Sequence, residues 1–308
     1  MAAIGGQAVV ISGTGLGIDV DDVVVTYSNG NTTIVVTGCV VSSPNLVLTC
    51  ATSPGAGFGF VFCVNVAGAT SCAPDAFTAR YNAPVILDSV LVASSNGGDV
   101  VKLSGRDFGP VGTRVDQAFL YAPDDPTVVF YAAECGVFTL DTTIVCSAPD
   151  GAGANLLWAV VIGGQQSAVQ TVAYAIPEIT SVSCHPSPCS ALDIMGDDVI
   201  RLRGANFGPV SLSPNFLRGA YGGVYFVASN GNRLALVGCS VTVSQHEAVC
   251  RTPAGFGVSL SVEMTVLRQN SAHANVTVAY ALPVISSVCA VVWYYIPSYH
   301  DENQTETA

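Results

Sequence analysis

Charge is what this sequence has least of. Asp, Glu, Lys and Arg make up 10% of its 308 residues, where about 25% is usual for a soluble domain. Lys102 is the only lysine and the formal net charge is -12, so there is no electrostatic footprint for a phosphate backbone and nucleic acid is not an expected partner. Long hydrophobic runs are lacking as well. The mean hydropathy is +0.51, yet no run of about 20 apolar residues occurs, so no helical membrane span is expected and the apolar content must lie in short elements. No window carries a 3.6-residue apolar stripe bounded by capping residues. No basic segment followed by an apolar core stands at the N-terminus, so a secretion signal is expected to be absent from this sequence or already removed. There is no Gly-x-Ser-x-Gly elbow. His185, His246, His273 and His300 are scattered and nothing resembles paired Cys-x-x-Cys ligation, so neither a catalytic centre nor a metal or other cofactor is expected.

What is present is a repeat. Tyr81-Asn-Ala-Pro-Val-Ile86 returns as Tyr174-Ala-Ile-Pro-Glu-Ile179 and as Tyr280-Ala-Leu-Pro-Val-Ile285. Each copy closes one unit and opens another, which divides the chain into 1–83, 84–176, 177–282 and a tail, 283–308. Between these junctions run short β-branched and aromatic segments such as Asp22-Val-Val-Val-Thr-Tyr27, Trp158-Ala-Val-Val-Ile162 and Leu260-Ser-Val-Glu-Met-Thr-Val266, divided by Gly, Asn, Pro and Ser. That pattern predicts an all-β chain of three tandem sandwiches followed by an extended tail. The first unit has no Tyr-x-x-Pro-x-Ile opening and is expected to lack its opening edge strand.

The cysteines repeat in register. Cys39/Cys50, Cys135/Cys146 and Cys239/Cys250 each enclose ten residues at the same place in their units, and each pair reads as a disulfide across a hairpin. Cys63/Cys72 and Cys184/Cys189 read as two further local bridges. Eleven cysteines imply an oxidising, extracellular setting, and the sequons at Asn31, Asn275 and Asn303 agree with it. Cys289 is left over: free, bonded to another chain, or separated from a partner lying outside this sequence.

Gly13-Thr-Gly-Leu-Gly17, Gly105-Arg-Asp-Phe-Gly109 and Gly204-Ala-Asn-Phe-Gly208 follow the first core strand of each unit. Cys146-Ser-Ala-Pro149 and Cys250-Arg-Thr-Pro253 lead into glycine turns. With the Cys pair and the Tyr-x-x-Pro-x-Ile closure, this combination resembles the IPT/TIG family, immunoglobulin-like domains of plexins, other cell-surface proteins and certain transcription factors. The resemblance covers nearly the whole chain. Leu16, in place of the turn Phe, and the absent opening strand set the first unit apart. In physical terms, the paired glycines allow a tight turn with φ > 0, and the Phe plugs the end of the sandwich.

Asp21/Asp22, Asp124/Asp125 and Asp197/Asp198 adjoin turns or open strands and are expected to be turn residues. Trp158 is expected in the core. The run Cys289-Ala-Val-Val-Trp-Tyr-Tyr-Ile296 lacks period-two alternation and is expected to be covered on both faces. The leading expectation is an extracellular structural protein that polymerises head to tail into a fibre or surface appendage. In it the tail completes, or packs across, unit one of the next copy through Val284, Ile285, Val288, Cys289, Trp293, Tyr294 and Tyr295; the other reading of the tail is the opening strand of a truncated fourth domain. The alternative is an adhesin or receptor ectodomain fragment that binds a glycan or a cell-surface protein.

Overall fold

A computed structural model describes residues 1–74, 77–90, 95–168, 170–212, 217, 222–271 and 276–288. Among the described residues the regular structure is strand apart from short 3-10 turns at Val20–Asp22, at Val210–Leu212 and around Leu217, and the named strands pair antiparallel. In the first unit β1 (Ala8–Ser12), β5 and β4 form one sheet, with β4 at Thr37–Ser43 and β5 at Val47–Ala51. The facing sheet runs β3 (Thr33–Val35), β2 (Val23–Ser28), β6 (Phe60–Val66) and β7 (Ala69–Cys72), with β8 (Thr78–Ala79) also on β6.

The second unit adds a strand to the first of these sheets. Its order is β9-β10-β14-β13, with β9 at Val85–Val90, β10 at Val100–Arg106, β13 at Ala133–Thr139 and β14 at Thr143–Ser147. The facing sheet comprises β12 (Asp125–Tyr131), β11 (Gln117–Ala122), β15 (Leu156–Ile162) and β16 (Gln165–Gln166), with β17 (Gln170–Val172) on β15. The third unit repeats this with β18 (Glu178–His185), β19 (Val199–Ala205), β23 (Glu247–Arg251) and β22 (Val237–Val243). Its facing sheet holds β21 (Arg233–Ala235), β20 (Gly223–Val227), β24 (Leu260–Val266) and β25 (Gln269–Asn270), with β26 (Thr277–Val278) on β24.

Alternation along the strands builds the cores. In β24, Leu260, Val262, Met264 and Val266 point inward while the residues between them are half-exposed, as the two-residue period of a strand requires. Trp158 is fully buried, and its indole N–H has no hydrogen-bond partner among the described residues. Phe108 and Phe207, the Phe of each Gly-x-x-Phe-Gly turn, are fully buried too. The closing tyrosines are cross-braces: the hydroxyls of Tyr81, Tyr174 and Tyr280 donate to the carbonyl oxygens of Ser53, Pro149 and Pro253.

The structure bonds Cys39 to Cys50 across β4 and β5, Cys63 to Cys72 across β6 and β7, Cys135 to Cys146 across β13 and β14, Cys184 to Cys189 at the end of β18, and Cys239 to Cys250 across β22 and β23. The apolar core is continuous through units two and three, while unit one has a core of its own.

Candidate functional site: the open edge of the first unit

Three equivalent strands carry different neighbours. β10 pairs with β14 on one side and β9 on the other, and β19 pairs with β23 and β18. Among the described residues β1 pairs with β5 alone. The consequence is written in burial. Val101 and Leu103 of β10, and Ile200 and Leu202 of β19, are fully buried, whereas Val9 and Ile11 at the same positions of β1 are half-exposed. A strand edge of this kind presents a row of unpaired N–H and C=O groups.

Beside that edge, between the two sheets, lies a cleft of about 740 Å³. It is bordered by Val9 and Ile11 of β1, by the Gly13–Leu16 turn, by Phe62, Val64 and Val66 of β6, and by Ala69–Cys72 of β7, with Phe77 at its mouth. Its walls are mixed, the apolar side chains being interleaved with the hydroxyls of Ser12, Thr14, Thr70 and Ser71.

The first glycine of each Gly-x-x-x-Gly turn records what passes over the strand. A Cβ on Gly105 would overlap the carbonyl oxygen of Val85 in β9, and a Cβ on Gly204 would overlap that of Glu178 in β18. These glycines are required by the close approach of another backbone. At Gly13 a Cβ would meet only the side chain of Leu16, at ordinary contact distance. Unit one thus carries the same glycine without a strand above it. The second glycines, Gly17, Gly109 and Gly208, have φ of 88°, 87° and 87°, the turn conformation expected of them.

The tail supplies a matching pattern. Ile86 and Ile179, each two residues after a junction proline, are buried in their units, while Ile285 at the equivalent place is exposed together with Val284 and Val288. Cys289, Trp293, Tyr294 and Tyr295 lie outside the described residues, as do Asn275 and Asn303. Asn31 is exposed in the turn between β2 and β3, where the Asn29 carboxamide oxygen accepts from the N–H groups of Asn31 and Thr32.

Polar clusters have local explanations. The Asp198 carboxylate accepts from the backbone N–H groups of Asp193 and Ser187. Burial works to raise its pKa, but these bonds outweigh it and hold the carboxyl below the usual range. Asp21 and Asp22 sit in a 3-10 turn capped by Asp19, and Asp124 pairs with Arg268. Among the described residues no group of His, Cys, Asp and Glu is arranged to hold a metal ion, and no helix is long and apolar enough to cross a membrane.

Fold, disulfides and repeat together define an extracellular, multi-domain, immunoglobulin-like protein. Residues 2–81 match the IPT/TIG domain family, so the unit with the open edge is an IPT/TIG-like domain, and two similarly folded sandwiches follow it. No curated protein matches the sequence. Among solved structures, a protein crystallised with xylogluco-oligosaccharide is similar with a TM-score of 0.32 and 14% identity, over 88% of this chain and 56% of that one. The full extracellular region of plexin A4 gives 0.27 and 10%, over 90% of this chain and 32% of that one. The Escherichia coli adhesin FdeC gives 0.27 and 12%, over 90% and 86%. The chain spans about half the length of the first and about a third of the second. The likeness is one of fold alone.

Proposed function

We propose that this chain is an extracellular binding module, of the adhesin or receptor-ectodomain kind, whose first unit takes an extended protein segment as an added strand along β1. The half-covered Val9 and Ile11, set against their fully buried counterparts in units two and three, carry this reading. Strand addition supplies main-chain hydrogen bonds to the edge, and alternate side chains entering the cleft set the register. The cleft volume of about 740 Å³ also falls within the roughly 300–1,000 Å³ typical of small-molecule sites, which is the support for a glycan as the competing ligand.

A narrower reading makes the added strand the tail of another copy, and the chain a fibre-forming structural protein. The exposed Ile285 supports it. Transferring the pairing of β9 with β10 and of β18 with β19 sets Ile285 opposite Gly13 and Val288 opposite Ile11. Such a contact joins unlike surfaces and need not close, so it propagates. The test of strand acceptance is hydrogen exchange of the dilute chain with and without a synthetic peptide covering residues 283–296. Slowed exchange in β1 is expected, and unchanged exchange there overturns the reading. For the narrower form, deletion of 283–308 is expected to leave folded units and abolish filaments seen by electron microscopy.

A further inference from the structure

The two internal junctions follow a rule of size. At the first, the Ala3 N–H donates to Asp107 Oδ1 at 3.3 Å and the Gln165 side chain donates to the Tyr81 carbonyl at 3.1 Å. At the second, Ser95 Oγ donates to Asn206 Oδ1 at 2.5 Å and Gln269 donates to the Tyr174 carbonyl at 2.7 Å. The face a unit offers forward is therefore small at its centre, Ala3 and Ala56 in one case, Ser95 and Ala152 in the other. The face received from the next unit is long and polar. Ala3 and Ser95 are 0% exposed and Ala152 is 1% exposed. Around the rim the sizes trade places. Phe58 lies over the Gly163-Gly164 turn at the first junction, and Gly153 lies under Leu267 at the second.

At the forward face of unit three and the receiving face of unit one the rule inverts. Ile194 occupies the place of Ala3 and Ser95, since its carbonyl accepts from Gly255 as theirs accept from Gly55 and Gly151. Phe256 occupies the place of Ala56 and Ala152, between glycines. Ile194 is 51% exposed and Phe256 88% exposed. On unit one, Gly15 stands where Asp107 and Asn206 stand, and Ala69 where Gln165 and Gln269 stand, by strand register. Both are exposed. The forward face has become large and apolar, and the receiving face has lost its long polar side chains.

We infer that the forward face of unit three docks on the receiving face of unit one in a second copy, with Ile194 and Phe256 filling the space that Gly15 and Ala69 leave open. The inference rests on the fibre reading above and adds a side-chain contact independent of the tail. Gly15 and Ala69 border the same cleft as β1, so the docked face and an added strand would lie side by side. A buried aromatic entering a complementary hollow is the kind of contact that dominates an interface.

The experiment follows the mass of the full chain against concentration by analytical ultracentrifugation. Phe256→Ala with Ile194→Ser, and separately Gly15→Asn with Ala69→Gln, should each weaken self-association about tenfold or more. All four together should recover part of it, because they rebuild the Ser95–Asn206 and Gln269–carbonyl contacts of the second internal junction. Gly15 has φ of 73° and Asn206 64°, and a Cβ on Gly15 meets nothing within 4 Å, so the receiving-face variant keeps its fold, and unchanged melting curves check this. Association unaffected by either pair, or not recovered in part by the four, overturns the docking while leaving strand acceptance standing. A chain that stays monomeric at every concentration overturns the fibre reading and the docking with it, while peptide binding at β1 remains a separate result.

Discussion

Unit one and unit three are built from the same motif in the same order, yet one ends in an open strand edge and the other in an exposed Phe256. Gly13 keeps the shape of a residue with a backbone lying over it, although only Leu16 is near. Ile285 keeps the identity of the anchors Ile86 and Ile179, although it is exposed. What the pair teaches is that the same residue type stands in a covered setting in one unit and an uncovered one in another. Disulfides follow the same division. Units one and three carry two bridges each, and unit two, covered at both ends, carries one.

The sharpest way to break this comparison is to place the same methyl group in all three units. Gly105→Ala and Gly204→Ala drive a Cβ into the carbonyl of the neighbouring strand and are expected to cost about 3 kcal/mol each, the upper part of the range for overpacked sites. Gly13→Ala meets only ordinary contact and should leave the denaturation midpoint of unit one nearly unchanged while abolishing peptide protection of β1. Equal destabilisation by all three would show that Gly13 serves its own turn and nothing added.

A smaller loss is expected from the bridge peculiar to unit one. Cys63→Ser with Cys72→Ser opens a short loop on the β7 side of the cleft, and the chain-entropy account gives about 2–3 kcal/mol for a loop of that size. Non-reducing peptide maps should recover each of the five pairs linked, and thermal unfolding should show the loss confined to unit one.

The sequence carried the architecture because its constraints are local. A Cys pair across a hairpin, a Tyr reaching back to a carbonyl and a glycine before a plugging Phe each lie within a few strands of their cause. β11 and β12 were harder to read, since Gln117-Ala-Phe-Leu-Tyr-Ala122 lacks clean alternation and Pro126 interrupts the next run. The first glycine of each turn was legible as a glycine but not for its reason, which is a passing strand instead of a positive φ. Asp107, Asn206, Gln165 and Gln269 escaped notice because contacts between units depend on how the units meet, which no strand pattern encodes. A column-by-column alignment of the three units would have shown Ala56, Ala152 and Phe256 in one column, and with them the inversion of size.

Register also compares the cores. Tyr27 faces Phe62, Leu120 faces Trp158 and Phe226 faces Val262 across equivalent strand pairs. Trp158→Phe therefore places in unit two the residue that unit one already uses. It leaves some empty volume but also removes a buried N–H that has no partner among the described residues, so the two effects oppose. The expected cost is below about 2 kcal/mol, against about 3–5 kcal/mol for Trp158→Ala. A cost for Phe equal to that for Ala would mean the indole N–H is satisfied.

The smallest effect separates the units by alkaline pH. Burial raises the pKa of all three closing tyrosines. Asp150 adds to the shift at Tyr174, and Tyr27 adds to it at Tyr81 through their shared hydrogen bond. Tyr280, at the exposed end, is pushed up to about 12, by burial first and then by the charge of Asp198. A phenol whose folded pKa lies above its unfolded value, about 10, contributes stability that is fully present below pH 10 and is lost as pH rises through the folded value. All three units should therefore weaken alike as pH rises from 10, and unit three should stop losing stability near 12, where its tyrosine is the first of the three to ionise in the folded chain. Tyrosinate absorbance followed in Tyr280→Phe against the parent chain checks the assignment. The variant loses the hydroxyl bond to Pro253 and some stability at pH 8, but unit three should become less sensitive to alkali. An unchanged alkaline profile would place the first titrating tyrosine elsewhere and remove the ranking of the three ends.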